Sequence, residues 1–477
     1  MNRPILRLYG FLFVLFALLI AFTSRWTIFE ASSLRANTLN KRGVLQQQRI
    51  DRGQILAANG AVLARSVRGP EGTYTRTYPT GAEFTHAVGY SYITLGQSGM
   101  ELYRSATLNS QNGTSVQGIL DQLQGRKPQG NTVLTSLRPA AQRTAIAALG
   151  EHEGAVVALQ PRTGAVEVMA STPSYDANAA ASQSAYEQLT RNPSSPLVNR
   201  ATQFGYAPGS TFKVITATAA IDSGQYTPES TVSGRNEVPI SGVPLKNDNN
   251  ESLGQITLTE ALAKSVNTVY AQVAEHLGKQ TMARYMSRFG FDRKPRLDYP
   301  AAEMSSSGEY RSGTLLAPTS AYVDVGRMGI GQDKLQVTPL QMAEVAAAVA
   351  NRGTLMTPHL ASAIVEPDGH VVQRISSKVQ SVVMKPSTAA AVTKMMEAVV
   401  NEGTGTSAQI PGVQVAGKTG TAETQIGGAV NNVWFIAFAP AQNPAVAVAV
   451  TLKGVPGQGA AFAAPVAKQV MEVLLHG

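Results

Sequence analysis

The stretch Ala207-Pro208-Gly209-Ser210-Thr211-Phe212-Lys213 puts a turn directly ahead of a helical run expected over residues 211–221. Pro and Gly punctuate the turn. Residues three apart on a helix share a face, so Ser210 Oγ and Lys213 Nζ can meet there. The free N–H groups and positive potential of a helix N-terminus surround the serine. A serine hydroxyl is a weak nucleophile until a neighbouring base takes its proton, and a partly desolvated lysine can be that base. Alone, however, S-x-x-K is common in proteins and reads better as a capping serine followed by a surface lysine.

Two later triplets change the reading. Ser265-Val266-Asn267 falls in a stretch expected to be helical over residues 258–276. Lys418-Thr419-Gly420-Thr421 falls in strand texture over residues 413–421. S-x-N is weak by itself, and Ser110-Gln111-Asn112 repeats it. K-T-G is stronger, because glycine on a strand permits close approach by a ligand. In this order the three are the signature of penicillin-recognising serine acyltransferases.

Further stretches agree in order along nearly the whole chain: Arg52-Gly53-Gln54-Ile55 with Asn59-Gly60, Gly99-Met100-Glu101-Leu102-Tyr103, Pro173-Ser174-Tyr175-Asp176, Asn199-Arg200-Ala201, Gly329-Ile330-Gly331-Gln332, Val337-Thr338-Pro339-Leu340-Gln341 and Trp434-Phe435. With them the chain resembles the class B penicillin-binding proteins, and most of all their short actinobacterial-type branch. The resemblance implies a monofunctional peptidoglycan D,D-transpeptidase acylated by β-lactams. It implies that Ser210 attacks the penultimate D-Ala carbonyl of a stem peptide and that Lys213 accepts its proton. Ser265 would relay a proton to the leaving D-Ala, and Asn267 would hold the substrate amide. Lys418 and Thr419 would hold the terminal carboxylate, with Gly420 and Thr421 completing that strand and the Ser210 and Thr421 N–H groups forming an oxyanion hole. Spacing alone leaves the acylation base open. No metal or organic cofactor is implied.

Composition sets the frame. At 477 residues, with 43% hydrophobic and 15% charged side chains, the chain has room for two or three domains and a large core. Cysteine is absent, which excludes disulfides, thiolate nucleophiles and Cys-bound metal. The net charge of +9 is concentrated near the N-terminus, where Arg3, Arg7, Arg25, Arg35, Lys41, Arg42, Arg49 and Arg52 face only Glu30 and Asp51. These charges flank an uncharged apolar run over residues 8–24, which points to a membrane surface rather than nucleic acid. The run is long for a signal peptide, and Ala21-Phe22-Thr23 is a poor cleavage site. An uncleaved single-pass anchor with a cytoplasmic N-terminus is expected, with everything beyond it outside.

Three units follow: residues 1–25 as stub and anchor, 26–150 as an elongated pedestal, and 151–477 as the transpeptidase domain. The last is expected to be α/β, an antiparallel sheet flanked by helices. A hairpin is expected around Pro161-Arg162-Thr163-Gly164, with strands over 433–439 and 445–452 and helices over Pro339–Ala350 and 465–475. Residues 305–320 read as an exposed loop. The resemblance further implies a SEDS-type glycan polymerase as membrane partner, beside stem peptides and β-lactams.

Rival readings differ in what the sequence should hold. A class A β-lactamase needs an E-x-x-L-N pentapeptide, which is missing. A bifunctional relative needs roughly 200 residues of glycosyltransferase before the acyltransferase, and only about 125 lie between the apolar run and Gly154. A D,D-carboxypeptidase, a penicillin sensor or a non-catalytic scaffold of the same fold remain alternatives. The acceptor diamino acid, the growth process served and the oligomeric state stay open.

Overall fold

The structure is a computed structural model and describes residues 3–25, 49–109, 129–423 and 430–476. Residues 26–48 and the Ser110-Gln111-Asn112 triplet therefore lie outside the described residues. Helix α1 (Arg3–Ser24) carries the apolar run, with a mean hydropathy of 2.5 and no buried residue. At 1.5 Å per residue, its 22 residues match a hydrocarbon core of about 30 Å.

Strands β1 (Ile55–Leu56), β2 (Val62–Arg68), β3 (Tyr74–Thr77) and β4 (Thr132–Thr135) open the extramembrane part. Helix α2 (Pro139–Leu149), strands β5 (Gly154–Leu159) and β6 (Val166–Thr172), and helices α3 (Lys213–Asp222), α4 (Leu258–Ala263), α5 (Asn267–Phe289) and α6 (Pro339–Ala350) follow. The chain ends with β7 (Ala361–Val365), β8 (Val371–Arg374), α7 (Pro386–Asn401), β9 (Ala416–Glu423), β10 (Asn431–Ala439), β11 (Val446–Val455) and α8 (Gly459–His476).

Two sheets organise these elements. The first runs β8-β7-β4-β1-β2-β3, with β1 parallel to β4 and the other pairs antiparallel. Its β7 and β8 come from the C-terminal half of the chain. Beside it, the two N-terminal motifs meet in one buried network: Glu101 accepts from Arg52 Nε at 2.7 Å and Arg76 Nε at 2.6 Å. Burial alone would raise Glu101, but Arg76 and Arg52 hold it below the ordinary carboxylate range.

The second sheet, β9-β10-β11-β5-β6, is antiparallel throughout. Both of its faces are covered, and β10 shows how. Val433, Phe435 and Ala437 join the core cluster that also holds residues of α2 and α8. Trp434, Ile436 and Phe438 join the cluster that holds α6. Side chains alternate across a strand, so a strand buried on both faces reads as a continuous apolar run. All twelve residues of α6 are buried. Its start is legible because Thr338 caps it, accepting from Gln341 N–H, and Pro339 occupies the first turn.

Three expectations are corrected. The helix expected over 258–276 is two helices: α4, begun by the Thr257–Glu260 capping box, and α5, with a break at residues 264–266. The expected loop over 305–320 contains a hairpin, Gly308–Arg311 with Thr314–Leu316, whose Glu309 is fully buried. Its short strands and central glycine gave too little periodicity to read. The last helix begins at Gly459, ahead of Pro465, instead of at that proline.

Candidate active site

The turn before Ser210 is set by long-range contacts. Trp434 Nε1 donates to Ala207 O at 2.9 Å, and Tyr206 and Val337 exchange two backbone hydrogen bonds. Gly209 has φ +52°, and a Cβ there would stand 2.4 Å from Thr421 O. Its N–H donates to Gly331 O at 3.0 Å. Only a residue without Cβ fits this crossing. Ser210 then lies in a short 3₁₀ turn, Gly209–Phe212, and Lys213 is the first residue of α3.

Ser265 also sits where glycine is usual. Val266 N–H donates to Ala261 O at 2.9 Å and Ser265 N–H to Leu262 O at 3.1 Å. That is a Schellman termination of α4, with Ser265 at the left-handed position, φ +60°. The strain of a non-glycine residue there is about 1–2 kcal/mol. It points the hydroxyl inward, 5% exposed, between two lysines. Asn267 follows as the first residue of α5. The S-x-N triplet is thus the joint between two helices, not the interior of one.

Lys213 Nζ donates to Ser265 O at 2.6 Å and to Asn267 Oδ1 at 2.7 Å, and lies 3.3 Å from Ser265 Oγ. Lys418 Nζ lies 2.9 Å from the same Ser265 Oγ and donates to Thr419 O at 3.1 Å. Both lysines are fully buried. Burial lowers Lys213 from its ordinary 10.5 to about 7, opposed by the Asp248 charge. Burial, then the neighbouring Lys213, push Lys418 well below its ordinary value, again opposed by Asp248. Among the described residues no hydrogen bond joins Ser210 Oγ to Lys213; the shared helix face holds them on one side, but the amine turns toward Ser265.

Gly420 is hemmed in on one side. Across the sheet it pairs with Trp434, and a Cβ on it would stand 2.7 Å from Pro208 O and 2.8 Å from Thr211 Cγ2. Its missing side chain admits the turn that carries Ser210, while the residue itself lines the cleft. Above these residues lies a cleft of about 700 Å³, lined by Ser210, Asp248, Ser265, Asn267, Thr419 and Thr421 among others. All eight residues singled out from the sequence therefore converge, six along or under the cleft wall and the two lysines beneath it.

Two participants were missed. Thr404 Oγ1 lies 2.6 Å from Thr419 Oγ1 and lines the cleft. Asp248 lies 3.2 Å from Asn267 Nδ2. No spacing relative to the three motifs marks either residue, since each arrives on a separate loop.

The arrangement can supply a serine nucleophile, a buried amine of lowered proton affinity beside it, and backbone N–H groups at a helix start. Comparison with known proteins agrees. A sequence profile of the penicillin binding protein transpeptidase domain matches residues 154–472, and one of the penicillin binding protein A dimerisation domain matches residues 52–133. The chain is 35% identical to the peptidoglycan D,D-transpeptidase PbpA of Mycolicibacterium smegmatis, over 100% of this chain and 99% of that one. It is 34% identical to PbpA of Mycobacterium tuberculosis, over 100% of both. Among solved structures, the ceftriaxone acyl-enzyme complex of M. tuberculosis penicillin-binding protein A superposes with a TM-score of 0.82 at 33% identity, covering 91% of this chain and 100% of that one. Its penicillin G acyl-enzyme complex gives 0.80 at 33% identity, covering 89% and 100%. With its serine, paired lysines and glycine-bearing strand in this register, the chain belongs to the penicillin-binding protein transpeptidase family.

Proposed function

We propose that the chain is a serine-type peptidoglycan D,D-transpeptidase that β-lactams acylate at Ser210. The observation that carries this reading is the placing of Ser265 Oγ between Lys213 and Lys418, beside Ser210 and under one cleft. Ser210 Oγ attacks the carbonyl of the penultimate D-Ala while Lys213 takes its proton. The Ser210 and Thr421 N–H groups stabilise the oxyanion, and such donors are each worth about 10²–10³-fold in rate. Collapse expels D-Ala, whose nitrogen takes a proton relayed through Ser265. An amine of a neighbouring stem then attacks the acyl-enzyme and frees Ser210. Asn267 holds the substrate amide, and Lys418 with Thr419 holds the terminal carboxylate. A β-lactam follows the first step by ring opening and stops at the ester.

Intact mass spectrometry after benzylpenicillin tests this. The expected result is one added penicilloyl group, mapped to Ser210 and lost in Ser210→Ala; labelling retained in that variant overturns the assignment.

The same reading divides the chain into anchor, residues 1–25, pedestal, 26–150, and catalytic unit, 151–477. The apolar α1 is compatible with a single-pass anchor. The arginines ahead of it support a cytoplasmic N-terminus with the cleft outside. A SEDS-type glycan polymerase in the same membrane is the partner we propose, since co-anchoring raises effective concentration and lets a modest interface suffice. Exchanging residues 1–30 for an unrelated anchor should weaken copurification with the polymerase and leave Ser210 labelling intact; undiminished copurification removes the anchor from that interface.

A further inference from the structure

We propose that Asp248 is a positioning residue of the acylation step, holding the Asn267 amide with its oxygen turned to Lys213 Nζ and placing a negative charge beside the buried lysine pair. The amide has one orientation that fits its neighbours. Asn267 Nδ2 faces Lys246 O at 3.3 Å and Asp248 Oδ1 at 3.2 Å, both of which can only accept. Asn267 Oδ1 is thereby left to accept from Lys213 Nζ at 2.7 Å. With the amide reversed, nitrogen would face an ammonium and oxygen would face two oxygens.

The loop that delivers Asp248 is built for the purpose. Asn247 is buried, and its side chain donates to Gly234 O at 3.1 Å and Glu251 O at 3.0 Å. Asn247 Oδ1 accepts from Thr268 N–H at 2.9 Å, so it caps α5 from outside the helix. Asn249 and Asn250 both take left-handed conformations, φ 55° and 57°. Asparagine tolerates that region better than most residues. Between the buried anchor and the reversed chain, Asp248 projects into the wall shared by the cleft and an adjoining cavity of about 330 Å³.

The charges around Lys213 are few. Lys418 faces it from β9, and Asp248 faces it from the loop. Lys246, Arg327 and Asp333 also line the cleft, and Glu251, Lys264 and Glu402 line the adjoining cavity. Among the described residues Asp248 is the carboxylate that acts on both lysines, favouring their charged forms against burial. The carboxylate is exposed, so its effect is screened by salt.

The inference rests on Lys213 as the proton acceptor for Ser210. Its test is the second-order rate constant of full-length protein with fluorescent penicillin between pH 5.5 and 9, for wild type, Asp248→Asn and Asp248→Ala. Wild type should lose rate below about pH 7, as Lys213 becomes protonated. In Asp248→Asn that acid limb should move to lower pH by about half a unit, the scale of one water-screened charge at short range. The displacement should shrink in 1 M salt. Asp248→Ala should lower the plateau by about tenfold more than Asp248→Asn, because asparagine still offers Asn267 an acceptor oxygen. Superimposed limbs for wild type and Asp248→Asn, or equal plateaus for the two variants, overturn the proposal. A wild-type profile with no acid limb overturns the lysine-base reading itself, and the proposal with it.

Discussion

Lys213 and Lys418 converge on a single oxygen: their Nζ atoms lie 3.3 and 2.9 Å from Ser265 Oγ, and neither side chain reaches solvent. Two ammonium groups buried around one hydroxyl repel, and both lose proton affinity by desolvation. A neutral amine beside the nucleophile is therefore available near pH 7 without any carboxylate–histidine relay.

Lys213→Ala should accordingly slow penicillin acylation by at least about 10³-fold, as expected when the base that activates a serine is removed. Stopped-flow or gel-based labelling checks this. A loss of less than tenfold would mean that another group takes the proton. Thermal stability should fall modestly, because Ser265 O and Asn267 Oδ1 lose their hydrogen-bond donor.

Ser265 offers a comparison between two substitutions that both remove the hydroxyl. Glycine also relieves the left-handed backbone, while alanine keeps the strain. Ser265→Gly should be more stable than Ser265→Ala by about 1 kcal/mol in urea unfolding, with acylation equally impaired in both. Equal stabilities would show that the α4–α5 joint relaxes out of its left-handed turn.

Gly420→Ala should act through the turn that bears Ser210. The added methyl meets Pro208 O, Thr211 Cγ2 and Trp434 Cβ, none of which can swing aside. An overpacked site of this kind loses about 1–3 kcal/mol. Acylation should drop by about 10²-fold or more, since small misplacement of a nucleophile is costly. A variant that labels at the wild-type rate would mean the strand has slack that the contact distances deny.

Glu344 lies within the fully buried α6 with Oε1 unpartnered, and burial, opposed by Arg293, raises it from 4.5 to about 8. In the unfolded chain it ionises near 4.5, whereas in the folded protein it holds its proton until about pH 8. Its contribution is therefore fully present below pH 4.5 and is lost progressively as pH rises to about 8. Glu344→Gln removes the titration. The difference in unfolding free energy, variant minus wild type, should grow between those limits and reach about 5 kcal/mol. A pH-independent difference would show that Glu344 finds a partner or water when ionised.

What the sequence determined by itself is what short-range chemistry encodes. Thr338 and Pro339 mark the start of α6, Pro161 and Gly164 mark the β5–β6 turn, and an uncharged run marks α1, because caps, turns and hydropathy act within a few residues. The S-x-x-K, S-x-N and K-T-G triplets named the chemistry, because few side chains can activate a serine. Tertiary structure decided what depends on elements far apart in the chain. Ser265 ends a helix because its backbone adopts a left-handed turn that propensity assigns to glycine. Gly420 is held to glycine by residues 207–211, which cross it closely. Asp248 and Thr404 reach the cleft on loops whose paths are set by packing, and β7 and β8 join strands from the N-terminal half for the same reason. Local propensity carries no record of which distant surface a strand or loop will meet; only burial of the whole core selects it.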